Sequence, residues 1–319
     1  MLLAVPLPGQ LPTPPVDDET ARIKVDVSVV SVLCSVRDGK GRLVSNLDKA
    51  DFEIREEGKP QSILYFARET TLPLTLGLLV DSSISQQNLI AKEQAAAAKF
   101  FRQVLTPKDA AFLISFDISV DLLQDVTGSV GMLENALGAI QARGTGPQGG
   151  IGDPFPTGAT GGTHLYDAVF LGATDVLQRE AGRKALILIS DGQDQGSKIT
   201  RDRAIEAAQR TDAILYGILY VDRDFYGYGG GYSGESTLKK MAEDTGGRLF
   251  RANNDRELTG AFQQISDELR SQYSLGYVPS NAAHDGSYRK MDVRVKRGGL
   301  RVQARKGYYA PRDSYPGPR

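Results

Sequence analysis

Hydrophobic and polar residues alternate near both ends of the chain. Over residues 23–36 the apolar positions recur every second residue, with one phase slip between Val29 and Val30. This pattern is typical of a long β-strand that contains a bulge. Shorter alternating segments, separated by turn residues, predict further strands at residues 43–47, 52–56 and 61–66, and again at residues 273–277, 291–295 and 300–304.

The middle of the chain has a different pattern, in which apolar segments alternate with segments of helical periodicity. Residues 74–80 (LTLGLLV) are almost entirely apolar, as in a strand that is buried on both faces of a parallel sheet. The helix that follows is predicted to bury Ala91, Ala95, Ala98, Phe101 and Leu105. Further strands are predicted at residues 111–116, 185–189 and 214–221, and further helices at residues 130–142, 165–177, 203–210, 236–244 and 258–271. Strands that alternate with helices predict a doubly wound, Rossmann-like α/β fold over residues 72–272.

The terminal strands predict a second domain. Neither the group before the α/β region nor the group after it could close a core alone, whereas together they would form a β-sandwich. We therefore predict a discontinuous Ig-like β-sandwich, built from residues 22–71 and 273–311, into which the α/β domain is inserted. Insertion is physically easy because the ends of a domain tend to lie close together. Residues 312–319 are predicted to be a tail.

The first 21 residues are predicted to be a leader remnant or a disordered tether. Residues 1–10 contain apolar residues like those at the end of a secretory signal, but they lack a basic n-region and a full apolar h-region. A truncated leader and a cloning remnant both stay open. Two glycine-rich loops, residues 144–162 and 224–234, are interpreted as surface segments that could take part in binding.

Charge and composition exclude several classes of function. Lysine plus arginine number 38 against 39 acidic residues, so no electrostatic field would steer the chain to nucleic acid. No segment approaches the ~18 apolar residues that a transmembrane helix needs. With one cysteine and two histidines, a zinc-type cage of thiolates and imidazoles is excluded, and any metal must be held by oxygen. Cys34 itself is interpreted as a buried small hydrophobe, with a reactive thiol as the alternative.

Oxygen donors occur at three places where the predicted sheet has its carboxyl edge. Asp81, Ser83 and Ser85 follow the apolar strand directly, Thr163 precedes a helix, and Asp191 follows the strand at residues 185–189. Ligands of open α/β sheets bind at this edge. Taken singly, Ser85 and Thr163 could be helix N-caps, and Asp191-Gly192 could be an ordinary turn. Taken together they predict a metal site.

The donor types favour a small, hard cation such as Mg²⁺. This ion prefers six oxygen ligands and usually keeps some of its waters. Ser83, Ser85 and Thr163 would bind it directly, and Asp81 and Asp191 would bind it directly or through water. Because hydroxyls carry no charge, the ion would keep positive charge and an open position for a carboxylate from another molecule.

The motifs DSSIS, GGTHLYDAV and LISDGQD, in this order, resemble the metal-ion-dependent adhesion site of von Willebrand factor type A domains. The flanking segments VRDGKGRLVSNLDKADFEIREEGKPQ, SQYSLGYVPS and ARKGYYAP resemble bacterial extracytoplasmic proteins related to this family, so the resemblance covers residues 25–311. It implies binding of Mg²⁺, Mn²⁺ or Ca²⁺, recognition of a protein ligand that presents an acidic residue, an extracytoplasmic location, and no catalysis. Ile84 departs from the family pattern, which commonly has glycine there.

Three other functions stay open for such a chain. A metal-assisted hydrolase would need a general base, and neither a Gly-x-Ser-x-Gly motif nor an obvious base is present beyond His164 and His284. An adaptor for a AAA+ ATPase, as in chelatases, would use the same cation site, but such adaptors are usually cytoplasmic. A structural protein would use the metal only for stability.

Overall fold

The computed structural model describes residues 29–69, 72–141, 162–221 and 234–312. The predicted leader or tether, the amino end of the first predicted strand, most of both glycine-rich loops and residues 313–319 of the predicted tail lie outside the described residues. The strands are β1 (Val30–Arg37), β2 (Phe52–Glu56), β3 (Lys59–Gln61), β4 (Ile63–Glu69), β5 (Leu74–Asp81), β6 (Ala110–Phe116), β7 (Val120–Thr127), β8 (Arg183–Ser190), β9 (Ala213–Tyr220), β10 (Leu249–Ala252), β11 (Gln272–Tyr277), β12 (Tyr288–Val295), β13 (Arg301–Ala304) and β14 (Gly307–Tyr309). The helices are α1 (Ile90–Val104), α2 (Val130–Gly138), α3 (Leu165–Leu171), α4 (Arg201–Arg210), α5 (Gly234–Thr245) and α6 (Asp255–Arg270).

A six-stranded sheet forms the centre of the α/β domain. Its strand order is β10-β9-β8-β5-β6-β7, and all neighbours are parallel except β7, which runs antiparallel to β6. Every residue of β5 is buried, as its apolar sequence predicts. Helices α1, α2 and α6 share a core with one face of the sheet, and α3, α4 and α5 share a core with the other. The mixed, Rossmann-like α/β fold is confirmed.

Strands from both ends of the chain form two further sheets, which we call the flanking sheets. Their strand orders are β13-β1-β11-β4 and β14-β12-β2-β3, so each sheet contains strands from before and after the α/β domain. The two sheets bury one shared core that includes Val32, Ile54, Tyr273, Tyr277 and Met291. Residues far apart in sequence thus share one hydrophobic core.

The predicted strand at residues 43–47 is wrong. Leu43 makes an isolated bridge with Arg37 and the Val44 amide donates to the Val36 carbonyl of β1 (2.8 Å), but no continuous strand forms over the segment. A buried tyrosine supplies hydrogen-bond partners for the backbone of this segment. The Tyr273 hydroxyl donates to the Val44 carbonyl (2.9 Å) and accepts from the Leu47 amide (3.0 Å). Buried backbone groups need such partners even where no strand forms.

The flanking sheets meet the α/β domain at the edge where its parallel strands begin. Arg183, the first residue of β8, donates to the carbonyls of Leu72 and Leu269, which lie near the two ends of the α/β segment, Leu269 in the last turn of α6. At the same edge, Arg305 pairs with Asp212 before β9. The carboxyl edge of the central sheet therefore stays clear of these contacts.

Glu268 joins the two units electrostatically. Its side chain is 1% exposed and accepts hydrogen bonds from Arg37 on β1, from Arg248 (3.0 Å) and from Tyr216 (3.2 Å). Burial, followed by the charge of Glu268, raises the pKa of Tyr216 well above its ordinary value, so the hydroxyl stays a donor. One carboxylate thus satisfies donors from both units.

None of the helices in the described part of the chain combines the length and hydrophobicity that a membrane span requires.

We expect Glu268→Gln to lower the free energy of unfolding by roughly 3 kcal/mol, because the exchange leaves the partly buried guanidinium groups of Arg37 and Arg248 without their carboxylate partner. Chemical denaturation of the whole chain measures this. Glu53→Gln is the matched control, since its ion pair with Arg55 is exposed and should cost less than about 1 kcal/mol. Equal losses in the two variants would contradict the role of Glu268.

Cys34 is buried within β1, and its burial raises the pKa of the thiol to about 12. At pH 8 the reactive thiolate is then on the order of one molecule in ten thousand. We expect an aromatic disulfide reagent to leave the folded protein unlabelled over a period in which it labels one thiol per chain in denaturant. Rapid labelling of the folded protein would instead support the reactive-thiol interpretation.

Candidate metal centre

Three loops meet where β5, β6 and β8 end. β5 pairs with β8 on one side and with β6 on the other, so the loops after these strands are neighbours. The Ser82 amide donates to the Phe116 carbonyl (2.8 Å), which joins the loop after β5 to the end of β6. The carboxyl edge of the sheet therefore brings together segments that are more than a hundred residues apart in sequence.

The DSSIS turn places its oxygens in one cluster. Asp81 Oδ1 accepts from the Ser83 amide (3.0 Å), and the Oγ atoms of Ser83 and Ser85 lie 3.1 Å apart. Ser85 Oγ in turn donates to Asp191 Oδ2 (2.9 Å), across from the loop after β8. Four of the five predicted site residues thus form one chain of hydrogen bonds.

Thr163, the fifth predicted residue, is tied to the same rim by its backbone. Its amide donates to the Gln195 carbonyl (3.0 Å), and the Gln195 amide donates back (2.9 Å). The next amide, that of His164, donates to the Asp117 carbonyl (2.7 Å). Gln195 follows β8 and Asp117 follows β6, so the segment before α3 is held between the two other loops.

The alternative that Ser85 and Thr163 are helix N-caps is wrong. Ser85 lies within a short 3₁₀ turn, Ile84–Gln86, and the residue at the N-cap of α3 is His164. Asp191 does act as a turn residue, because its Oδ1 accepts from the Gln193 amide (2.9 Å). Its other oxygen faces the cluster, so the turn and the cluster coexist.

The electrostatics of the cluster suit a cation. Asp81 and Asp191 are both buried. Burial, together with the negative charge of Asp191, raises the pKa of Asp81 to about 7. A positive ion between the carboxylates would remove this repulsion. Within the described residues no three His, Cys, Asp or Glu side chains are grouped as a metal cage, so the donors of this site would have to include hydroxyls.

Two residues of the site were missed from the sequence. Ser190 Oγ donates to Asp81 Oδ2 (2.6 Å) and accepts from the Gly192 amide (2.9 Å), so this hydroxyl orients one carboxylate and shapes the turn. Glu93 on α1 is buried, and burial followed by the charge of Asp81 raises the pKa of its carboxyl well above the usual range. For Ser190, the only signal in the sequence was its position directly before Asp191.

Gly192 is required for the close approach of α5 to this loop. Its φ is +79°, and a Cβ there would lie 2.4 Å from the Gly234 carbonyl oxygen at the start of α5. Only glycine fits both conditions.

Solved structures include several with this architecture. The chain resembles proximal thread matrix protein 1 from the mussel byssus, with a TM-score of 0.50 and 12% identity, over 67% of this chain and 51% of that one. It thus spans about half the length of that protein. A structure of the same mussel protein with a zinc-occupied MIDAS motif matches with a TM-score of 0.50 and 13% identity, over 68% of this chain and 50% of that one. The vWF domain of the type V pilus tip protein Mfa5 from Porphyromonas gingivalis matches with a TM-score of 0.47 and 16% identity, over 62% of this chain and 95% of that one.

At a TM-score of 0.50, the likeness shows that the chain shares the fold of the mussel protein, one structure of which has a zinc-occupied MIDAS motif. No family model and no curated protein matches the chain. In the α/β domain the segments that contain Asp81, Thr163 and Asp191 meet at one rim.

We expect Ser190→Ala to weaken binding of Mg²⁺ or Mn²⁺ by 10- to 100-fold, roughly the usual cost of losing a group that orients a metal ligand. Titration calorimetry measures the affinity, and circular dichroism checks that the fold is kept. Ser35→Ala is the matched control, because Ser35 is buried in β1 and its hydroxyl has no hydrogen-bond partner among the described residues. Unchanged affinity in Ser190→Ala would rule out this positioning role.

Proposed function

We propose that the type A domain binds a divalent cation at Asp81, Ser83, Ser85, Thr163 and Asp191, and that the cation captures an acidic residue of a partner protein. The observation that carries the proposal is the chain of hydrogen bonds from Asp81 through Ser83 and Ser85 to Asp191. It collects two carboxylates and two hydroxyls from separate loops. These are the hard oxygen donors that Mg²⁺ prefers, with Mn²⁺ and Ca²⁺ as alternatives.

The charge balance favours an ion with an open position. Two carboxylates match the charge of a divalent cation, whereas hydroxyls add ligands without adding charge. Direct binding of both carboxylates is not required, since either could act through a bound water. When one carboxylate acts through a bound water, its charge lies farther from the ion, so the ion keeps positive charge in its direct shell and attracts an external carboxylate. The zinc-occupied MIDAS motif of the mussel protein supports a metal at this position, and we propose magnesium as the ion in this chain.

We further propose that the domain binds without catalysis. His164 is one of the two histidines that could serve as a base. Its ring lies against Gly196, since a Cβ added at Gly196 would be 2.9 Å from His164 Nε2. A hydroxyl-rich magnesium site is a weak Lewis acid, and a hydrolase would also need a base that activates water. Recognition of an acidic protein surface requires neither.

The flanking sheets complete the proposed arrangement. We propose that they form an Ig-like β-sandwich into which the type A domain is inserted, and that the protein acts outside the cytoplasm, where it presents the rim to its partner. Their contacts with the α/β domain, such as Arg305 with Asp212, lie at the edge opposite the site. A partner could therefore approach the rim without displacing them.

We expect Asp81→Ala to reduce cation affinity by more than about 100-fold while the fold is kept, since removing a buried carboxylate also removes its repulsion from Asp191. Calorimetry with Mg²⁺ and a thermal unfolding curve measure the two effects. Asp125→Ala, the same change at an exposed position of β7, should alter neither.

Capture of partners from a native envelope fraction tests the second half of the proposal. Proteins retained by the wild type in Mg²⁺ should be released by EDTA and should not be retained by Asp81→Ala. If Asp81→Ala is unfolded, the metal has a structural role instead. If retention is the same with EDTA, the partner does not bind through the cation.

A further inference from the structure

We propose that the partner of the cation site presents its acidic residue between apolar side chains, which pack against Ile84 and Ile118 on the rim. This inference rests on the proposed function and specifies the kind of partner. Both isoleucines are exposed, Ile84 at 40% and Ile118 at 48%. They flank the hydroxyl and carboxylate cluster from two different loops.

Ile84 stands between the two serines of the cluster. Because Ser83 Oγ and Ser85 Oγ lie 3.1 Å apart and both serines are buried, the turn directs these two side chains inward. The side chain between them is directed outward to solvent. An apolar surface therefore lies directly beside the oxygens that would hold the ion.

Ile118 stands beside Thr163. It follows Asp117, whose carbonyl accepts from the His164 amide. A Cβ added at Gly162 would lie 3.2 Å from Ile118 Cγ2, so the isoleucine packs on the residue that precedes Thr163. The loop that carries Ile118 is joined to the loop that carries Ile84 by the bond between Ser82 and Phe116 (2.8 Å).

A single exposed apolar residue needs no explanation, since many occur on soluble proteins. Here two of them border one polar site. Both are β-branched, so their side chains are stiff and lose little entropy when a partner packs on them. Apolar contacts around an ion pair also exclude water and strengthen it.

The same apolar contacts would determine which acidic ligands bind. The cation selects a carboxylate, whereas charged neighbours of that carboxylate would have to lose water against the isoleucines without gaining a partner. An acidic residue flanked by leucine, valine, isoleucine or phenylalanine fits both requirements. A polyacidic segment fits only the first.

The test is selection from a random heptapeptide library displayed on phage, with the whole chain immobilised in Mg²⁺ and the bound phage eluted with EDTA. The wild type should enrich peptides with one acidic residue next to apolar residues. Ile84→Thr/Ile118→Thr keeps the β-branched shape but removes the apolar surface. It should enrich acidic peptides without the apolar neighbours.

One enriched peptide is then synthesised and titrated. The double variant should bind it roughly 30-fold or more weakly, while its Mg²⁺ affinity equals that of the wild type. The control is Leu64→Ser/Met132→Ser, which removes two side chains of similar exposure, 51% and 49%, that lie away from the rim. It should leave peptide affinity unchanged.

The outcomes separate this inference from the proposed function. Enrichment of acidic peptides without apolar neighbours, or equal peptide affinity in the Ile84→Thr/Ile118→Thr variant, overturns the apolar contact and leaves the cation site standing. A loss of Mg²⁺ affinity in that variant also overturns it, because the isoleucines would then act on the ion. If no peptide is both acidic and released by EDTA, both proposals fail.

Discussion

The close approach of two buried carboxylates, Asp81 and Asp191, is the constraint around which the rim is built. Two negative carboxylates in a buried environment repel each other, and this repulsion adds to the effect of burial in raising the pKa of Asp81. The neighbouring groups that hold Asp81 are the Ser190 hydroxyl and the Ser83 amide. Neutral donors such as these orient the carboxylate oxygens without neutralising their charge. The attraction for a cation is therefore preserved, and the proposed ligands are already in place.

Strand order explains why the cluster lies where it does. The chain leaves β5 and continues to β6 on one side, but it reaches β8 on the other side only after α3. At such a switch point the loops diverge and leave a crevice at the carboxyl ends of the strands. Asp81 ends the strand at this position, and Asp191 directly follows the neighbouring strand. The site is thus a consequence of topology, with the residue types adding the chemistry.

The sequence predicts the features that depend on hydrophobic periodicity and on the residues at the ends of strands. The buried strand β5 and the five candidate ligands could be identified because an apolar run followed by oxygen donors has few other interpretations. The edge strand β7 was missed because it is half exposed and lacks a clear apolar face. On α1 the predicted face was wrong in the first half of the helix, where Ala91 and Ala95 are exposed and Glu93 is buried. Phe101 is buried and Ala98 and Leu105 pack against the core, as predicted. A run of alanines fits several helical faces, and only the packing against the sheet selects one.

The flanking sheets contact the α/β domain on the side away from the rim, and this position affects how a partner could bind at the rim. Arg183 ties the entry and the exit of the inserted segment together at the amino edge of the central sheet, where Arg305 also pairs with Asp212. Glu268 adds a buried link between β1 and α6. These contacts fix the α/β domain from the side opposite the cluster. A partner that binds at the rim would therefore meet a surface whose support does not have to move, so little of the binding energy would be spent on rearrangement.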